Sequence, residues 1–374
     1  KKLYFMASRG LSVITWTRED NKISMKIIKI NKKIRVAIVG CGRISKNHFE
    51  SIKIHKDNIE LISICDKDED VMREHQEKYS VKGYSDLKKM LGSENLDLVV
   101  LCTPSGEHSD QAVLVASYGV HVMTEKPMAT RWQDGLRMVK ACDQANVHLF
   151  VVKQNRMNST LQMLKRAISD NRFGRIFMVN INVFWTRPQE YYDSAMWRGT
   201  WELDGGAFMN QASHYVDLVE WLIGPVADIQ AMTGTLARDV EVEDTGVMNI
   251  RWRSGALGSM SVTMLTYPKN YEGSITIIGE KGTVRIGGVA VNKIEHWEFE
   301  DSQDYDEKIH DASYNTTSIY GFGHPLYYKN MIDVMHGIEE PETDGREGLK
   351  SLEVLIAVYL SARDRRTVSI PLEY

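Results

Sequence analysis

The stretch KIRVAIVGCGRIS, residues 33–45, decides the fold of the first half of the chain. Residues 34–39 are mostly apolar and β-branched, which predicts a buried strand, and the residues from Arg43 onward predict a helix. Gly40 and Gly42 lie between them. Glycine permits a sharp turn and a close approach to a pyrophosphate, and the helix N-terminus favours negative charge. The stretch favours a dinucleotide site over an ordinary tight turn, although Ser45 stands where the usual fingerprint has glycine or alanine.

Asp66 directly follows the second predicted strand, residues 59–65. A carboxylate at this point commonly binds the ribose hydroxyls of the adenosine and repels a 2′-phosphate, which favours NAD over NADP. The adjacent Lys67 could instead hold that phosphate. Asp66 could also simply cap the helix that is predicted over residues 68–79.

Strands and helices continue to alternate as far as residue 152. Strands are predicted over residues 96–102, 121–124 and 147–152, and helices over residues 111–118 and 129–146. This alternation predicts a doubly wound parallel sheet with its ligands at the carboxyl ends of the strands. The residues at those ends are Asp66, Thr103, Lys126 and Asn155.

The pattern then changes to strands with few helices between them. We predict strands over residues 175–186, 228–236, 246–253, 256–265, 273–278, 283–286 and 293–299, a mobile loop over 300–318, and helices over 322–337 and 345–364. These strands predict a large, mostly antiparallel sheet in an α+β domain. The predicted division is a poorly ordered extension (1–30), a nucleotide-binding domain (31–153) and a substrate-binding and oligomerisation domain (154–374).

Composition excludes several functional classes. Hydrophobic residues make up 43% of the chain, charged residues 26%, and the net charge is -4, so nothing favours a nucleic-acid partner. No apolar run approaches the roughly 20 residues that span a bilayer. The four cysteines form no CxxC pair. We therefore expect reduced, buried thiols in a cytoplasmic protein, and no metal site.

Two stretches carry candidate chemistry. Glu125-Lys126-Pro127 ends a predicted buried strand, where burial and nearby cations would lower the pKa of the lysine and make it a proton carrier. The alternative is an ordinary surface lysine. In the second stretch, a helix predicted over residues 209–222 places Asn210, His214 and Asp217 on one face. A polar stripe on so apolar a helix favours a site over a structural histidine.

These three motifs together resemble the glucose-fructose oxidoreductase / inositol dehydrogenase (Gfo/Idh/MocA) family of NAD(P)-dependent sugar oxidoreductases. The resemblance runs from about residue 33 to the end and implies a Rossmann domain. It also implies that Lys126 and His214 flank the nicotinamide as catalytic residues. Asn210 stands where the family commonly has an aspartate, four residues before the histidine. His214 therefore lacks that charged partner, and more of the proton transfer would fall to Lys126.

Further segments are similar to one branch of the family, the UDP-N-acetylglucosaminuronate 3-dehydrogenases of the WlbA and WbpB type. They are residues 151–156, 191–206, 209–218, 266–283 and 320–328. The resemblance implies NAD-dependent oxidation of the C3 hydroxyl of UDP-N-acetylglucosaminuronate, in the assembly of cell-surface polysaccharide such as O-antigen. In some members of this branch 2-oxoglutarate re-oxidises the bound cofactor.

The resemblance also implies the residues of the site. Cofactor contacts are expected from Gly40, Gly42, Arg43, Ile44, Asp66, Thr103, Pro104, His108, Glu125, Lys126 and Asn155. Substrate contacts are expected from Lys126, Arg156, Arg198, Asn210 and His214, with Arg187 and Lys269 as further cations near the pocket. Apolar residues on both faces of strands such as 256–265 predict a homodimer or homotetramer. The rival functions are the same chemistry on a free sugar or inositol, and a non-catalytic NAD-binding regulator.

Overall fold

The computed structural model describes Ile28, residues 32–316 and residues 321–372. The extension predicted over residues 1–30 lies outside these residues except for Ile28. Among the described residues, no helix is long and apolar enough to cross a membrane.

The first domain is built on a parallel sheet with helices on both faces. Its strands pair in the order β3-β2-β1-β4-β5-β6, and every pair is parallel. The strands are β1 (Ile34–Val39), β2 (Ile59–Cys65), β3 (Lys82–Tyr84), β4 (Leu98–Leu101), β5 (His121–Thr124) and β6 (Leu149–Val151). The helices are α1 (Ser45–Ile54), α2 (Glu69–Tyr79), α3 (Leu87–Ser93), α4 (His108–Ser117) and α5 (Trp132–Ala145). The predicted doubly wound sheet is confirmed, and β3 and α3 are additions to it.

The second domain is built on a larger sheet with the order β13-β12-β11-β7-β10-β9-β8-β14. Among the described strands of this sheet, only β7 and β10 pair in parallel, so the predicted mostly antiparallel sheet is confirmed. Its strands are β7 (Ile176–Phe184), β8 (Val226–Gly234), β9 (Thr245–Trp252), β10 (Leu257–Thr263), β11 (Glu272–Gly279), β12 (Gly282–Gly287), β13 (Lys293–Phe299) and β14 (Val368–Ser369). Its helices are α6 (Ser159–Ser169), α7 (Gln189–Asp193), α8 (Ser213–Ile223), α9 (Ile309–Ala312), α10 (Gly323–Met335) and α11 (Gly345–Asp364).

The segment after β13 differs from the mobile loop that we predicted. A short 3-10 turn (Asp304–Lys308) and α9 occupy it, and Tyr305 is buried. Arg172 donates to both carboxylate oxygens of Asp306, at 2.6 and 2.8 Å, and lies 4.0 Å over the ring of Phe299. These partners come from distant parts of the chain, so the polar local sequence did not reveal them.

The last helices return to the first domain. Side chains of α10, including Tyr328 and Met331, share one buried cluster with Ile34 and Ile38 of β1. The backbone N–H of Val151 donates to the carbonyl of Thr343 at 3.1 Å, which ties β6 to the chain entering α11. These contacts join the two domains around the carboxyl ends of the parallel strands.

Candidate active site

The glycine turn after β1 has two different requirements for glycine. Gly40 adopts φ +86°, and a Cβ there would lie 2.8 Å from backbone atoms of Cys102 and Thr103. A Cβ on Gly42 would meet no protein atom within 4 Å, because Gly42 borders an open cleft. The hydroxyl of Ser45 donates to the carbonyl of Gly42 at 2.6 Å. Ser45 therefore ties the turn to the start of α1, which begins two residues later than predicted.

Asp66 reinforces this turn from the end of β2. Its carboxylate accepts from the backbone N–H of Cys41 at 2.7 Å and from that of Asp68 at 2.9 Å. The helix cap is Asp68, which accepts from two backbone N–H groups of α2, so Asp66 is not the cap itself. Lys67 pairs with Glu107 at 2.9 Å. The anionic Asp66 thus borders the cleft, and the adjacent cation is paired.

A cleft of about 580 Å³ runs from the glycine turn to the end of β5. Most of the site residues expected from the sequence line it: Gly40, Gly42, Arg43, Ile44, Asp66, Thr103, Pro104, His108, Glu125, Lys126, Arg198 and Asn210. Asn155, Arg156 and His214 do not line it. A glycine turn that faces open space, a helix N-terminus and a carboxylate fit a dinucleotide.

Lys126 lies at the inner end of this cleft, just after β5. Its Nζ donates to the backbone carbonyl of Asn210 at 3.0 Å and lies 3.5 Å from Oδ1 of the same residue. Burial lowers the pKa of Lys126, and the cations of Lys153 and Arg187 lower it further, against the opposing effect of Glu125 and Asp204. A lysine in such surroundings gives up its proton more readily than a surface lysine.

Glu125 anchors the lysine from below. Its Oε1 accepts from Nε2 of His48 at 3.0 Å and from Nε2 of His324 at 3.3 Å, and its Oε2 accepts from the backbone N–H of Lys126 at 3.1 Å. Burial would raise the pKa of Glu125, but the bonds from the two histidines hold it well below its usual range. The same three side chains have ligand atoms within 4.8 Å of one another, as a metal site would. The hydrogen bonds account for this arrangement.

The stretch predicted as one helix over residues 209–222 is broken in two. A wide, π-type turn (Ala207–Gln211) precedes α8. Asn210 therefore faces Lys126 and the cleft, whereas His214 and Asp217 are buried on α8. The prediction of one continuous α-helix from residue 209 is therefore wrong, because Asn210 lies in the π-type turn and His214 and Asp217 lie on α8.

His214 is a neutral, buried histidine. Burial and the cations of Lys126 and Lys153 hold its pKa well below the usual range. The amide nitrogen of Gln154 lies 2.9 Å from Nε2 of His214, so Nε2 accepts this bond and the ring proton is on Nδ1. Nδ1 is buried and has no partner among the described residues. Nδ1 is thus a buried donor that the described residues leave unsatisfied.

Arg156 is placed differently from our expectation. Its Nε and Nη2 donate to the two carboxylate oxygens of Asp217 at 2.7 and 2.8 Å, and Glu347 lies 3.4 Å away. Both partners of the main pair have side chains only 3% exposed. The prediction that Arg156 contacts substrate conflicts with this placement, because its donors are already used inside the protein.

Arg198 borders the cleft, as Arg43 does. It donates to the hydroxyl of Tyr191 at 2.7 Å and lies over the rings of Tyr191 and Trp197, at 4.4 and 4.5 Å. Its Nε is buried without a partner among the described residues. Tyr191, Trp197 and Asp204 also line the cleft, and sequence reasoning did not assign them. The only signal for them was their place in residues 191–206, a segment without periodicity.

Two family models match the chain. One describes the NAD-binding Rossmann fold of the Gfo/Idh/MocA oxidoreductases and covers residues 34–153; the other describes their C-terminal α/β domain and covers residues 165–370. The chain belongs to the Gfo/Idh/MocA family. The resemblance inferred from the glycine turn, Lys126 and His214 is therefore confirmed.

Two solved structures are similar to this chain in both sequence and fold. The WlbA dehydrogenase from Chromobacterium violaceum, in complex with NADH and UDP-GlcNAcA, is 64% identical, with a TM-score of 0.90 over 94% of this chain and 100% of that chain. The WlbA dehydrogenase from Bordetella pertussis, with the same ligands, is 61% identical, with a TM-score of 0.91 over 92% and 100%. A Gfo/Idh/MocA relative of lower similarity is the D-apiose dehydrogenase of Paraburkholderia graminis, 25% identical over 91% of this chain and 90% of its own length.

Proposed function

We propose that this protein oxidises the C3 hydroxyl of UDP-N-acetylglucosaminuronate to a ketone with NAD. The observation that carries the proposal is the pair of WlbA dehydrogenases, 64% and 61% identical over nearly the whole chain, whose structures contain NADH and UDP-GlcNAcA. The cleft with Lys126 at its inner end supports the same reaction. The less similar sugar dehydrogenases share the fold and leave the substrate open.

The residues around the glycine turn would hold the cofactor. Gly40 and Gly42 allow the backbone and the N-terminus of α1 to receive the pyrophosphate, and Asp66 would receive the adenosine ribose. A bound nicotinamide supplies the acceptor for the hydride that leaves C3. The paired state of Lys67 favours NAD over NADP, because a 2′-phosphate would have to compete with Glu107 for that cation.

A base must accept the hydroxyl proton, and we assign the role of this base to Nζ of Lys126. As the C3–H bond breaks with its electron pair, the C3–O bond becomes a carbonyl and the O–H proton passes to the neutral amine. Asn210 holds Nζ through its carbonyl. His214 would donate from Nδ1 to a sugar oxygen and would not take the proton itself. Asn155, which is buried with Oδ1 unpartnered, remains a proposed cofactor contact.

The substrate also carries a carboxylate and a diphosphate, which require cationic donors. We propose that Arg198 binds one of these groups, because it borders the cleft and its Nε has no partner among the described residues. Arg156 would act instead by fixing α8, which carries His214.

Assembly, location and cofactor recycling complete the proposal. The outer face of the second sheet leaves Phe177, Met178, Met232 and Leu257 exposed, and a homodimer or homotetramer would cover it. The outward residues of β10 include Ser259 and Ser261, so this face is mixed and not uniformly apolar.

All four cysteines are free and buried, which supports a cytoplasmic location. The pathway would be that of a cell-surface polysaccharide, and 2-oxoglutarate is the proposed re-oxidant.

An absorbance scan at the reduced-nicotinamide band tests the substrate. We expect a rise when UDP-N-acetylglucosaminuronate is added with NAD, and a fall on adding 2-oxoglutarate if the cofactor is recycled in place. UDP-N-acetylglucosamine, which lacks the carboxylate, is the matched control. A rise only with that sugar, a free sugar or inositol would overturn the substrate assignment, and silence with every sugar would favour a non-catalytic NAD-binding regulator.

A further inference from the structure

The carboxylate that the family pattern places before the histidine is absent here, but a different carboxylate lies beside the same position. Asp204 is 1% exposed and borders the cleft. It accepts hydrogen bonds from the backbone N–H of Gly199 at 2.8 Å and from the side-chain amide of Asn210. The backbone carbonyl and Oδ1 of Asn210 in turn accept hydrogen bonds from Nζ of Lys126. Asp204, Asn210 and Lys126 thus form one chain of contacts.

The chemistry of these groups fixes the direction of the Asn210 amide. An ionised carboxylate only accepts hydrogen bonds and an ammonium only donates them. Nδ2 of Asn210 must therefore face Asp204, and Oδ1 must face Lys126. Without the carboxylate, the amide could turn and present Nδ2 to the lysine. Asp204 therefore orients the amide of Asn210, which contacts the lysine on its other side.

His214 gains nothing from this carboxylate. Its Nε2 contacts Gln154, and its Nδ1 has no partner among the described residues. The acid has therefore moved from the histidine side of the site to the lysine side.

We propose that Asp204 is the positioning residue of Lys126, acting through Asn210 in place of the aspartate that the family commonly has at position 210. The geometric part needs no substrate, whereas its catalytic meaning rests on the proposed function. Besides orienting Asn210, Asp204 acts electrostatically. A buried anion close to Lys126 favours the charged amine, so it opposes the lowering of the lysine pKa by burial. Burial itself raises the pKa of Asp204, and Arg198 and Lys126 oppose that rise.

Several other charged or titratable groups act on Lys126. Glu125 favours its charged form, and cationic groups on neighbouring elements disfavour it: Lys153 and Arg187. The rings of His214 and His324 also lie within electrostatic reach of the lysine. A test must therefore change Asp204 while leaving these groups in place.

Trace acetylation of Lys126 by acetic anhydride, followed by peptide mass spectrometry across a pH series, measures its titration without any sugar. Only the neutral amine reacts, so the midpoint of reactivity gives its pKa. We expect Asp204→Asn to move the midpoint down by on the order of one pH unit. Asp204→Glu should keep the wild-type midpoint. Glu241→Gln is the matched control, because Glu241 accepts from the backbone N–H of Trp201 in the same segment and does not face Lys126.

A swapped variant keeps the proposal falsifiable if Asp204→Asn does not fold. Asp204→Asn combined with Asn210→Asp retains one acid and one amide in the pair and places the acid next to Lys126. We expect its midpoint at or above that of the wild type. An unchanged midpoint in Asp204→Asn, or a midpoint of the swapped variant below that of the wild type, would overturn the proposal. A midpoint that Glu241→Gln moves as far as Asp204→Asn would also overturn it, because the effect would then be structural.

The pH profile of kcat/KM gives a second measurement. If Lys126 is the base, the rising limb should move to lower pH in Asp204→Asn, in step with the acetylation midpoint. A protein that acetylates as expected but oxidises no UDP-sugar would refute the proposed function and leave the role of Asp204 intact. Turnover with a rising limb that ignores Asp204 would refute the role of Asp204 alone.

Discussion

The buried pair of Arg156 and Asp217 allows a stability effect to be worked out from the geometry. Both side chains are 3% exposed, and the two bonds measure 2.7 and 2.8 Å. Lys153 lies 3.7 Å from the same carboxylate. Asp217→Asn would leave two buried cations without this carboxylate, and the other acid that pairs with Arg156, Glu347, has a side chain that is 30% exposed. Removing one partner of a buried ion pair costs about 3 to 5 kcal/mol.

For a chain of 374 residues, this loss corresponds to a fall in Tm of about 4 to 6 °C. Thermal unfolding followed by circular dichroism measures it. Glu347→Gln is the control, and we expect it to cost less than about 1 kcal/mol because Glu347 is partly solvated. Replacing Arg156 by methionine and Asp217 by leucine together should recover part of the loss, since only Lys153 is then left without that carboxylate. A fall in Tm for Asp217→Asn no larger than that for Glu347→Gln would refute the reasoning.

The same pair predicts a dependence on pH. Arg156 and Lys153 hold the pKa of Asp217 below its usual range, against the effect of burial. The stabilisation is therefore complete above the ordinary pKa of an aspartate, near 3.9, and is lost as the pH falls through the lower, folded value. The difference in stability between the wild type and Asp217→Asn should be constant at neutral pH and should shrink in acid. A difference that grows in acid would contradict the assigned direction.

Three further predictions concern the cleft. Lys126→Met should lower kcat by at least about 100-fold yet raise Tm at neutral pH. Burial lowers the pKa of this lysine, so below the ordinary pKa near 10.4 its charged form destabilises the folded state. An unchanged or lower Tm would count against this argument. Gly40→Ala should cost more than about 2 kcal/mol of stability, because Gly40 has a positive φ and backbone atoms lie close to the added Cβ. Gly42→Ala should keep the wild-type Tm but weaken NAD binding by about tenfold in a fluorescence titration. A loss of stability in Gly42→Ala that exceeds the loss in Gly40→Ala would refute the assignment of the cleft. Asp66→Asn should narrow the preference for NAD over NADP in the same titration, while Asp68→Asn should lower stability by about 1 kcal/mol through loss of the helix cap and leave that preference unchanged.

The sequence predicted the two sheets because their strands are encoded by local patterns. The run Ile34–Val39 and the turn after it are apolar and glycine-rich within a few residues, and the structure has the strand with the same bounds. The carboxyl ends of parallel strands then brought Asp66 and Lys126 to one cleft. The substrate came from resemblance, which no periodicity could supply.

The errors lie where distant contacts override a local pattern. The helical period continues through residues 209–222, but the backbone N–H of Phe208 donates to Glu243 and that of Met209 donates to the hydroxyl of Tyr359. These distant partners lie at the π-type turn, which contains Asn210 and precedes α8. Arg156 likewise has its acids on α8 and α11, far along the chain. Neither set of partners can be recognised from neighbouring residues.

The return of α10 to the first domain has a consequence for biosynthesis. Met123 on β5 and Phe150 on β6 share their buried cluster with Tyr328 and Met331, which leave the ribosome only after most of the second domain has been made. Folding of the nucleotide-binding domain during translation therefore stops short of a finished core, although N-terminal domains usually fold first. Until α10 has been made, part of one apolar face of the parallel sheet stays uncovered, although Phe49 and Ile52 of α1 pack in the same cluster. A nascent chain of this kind is a natural client for chaperones, and a chain that ends before α10 is prone to aggregate.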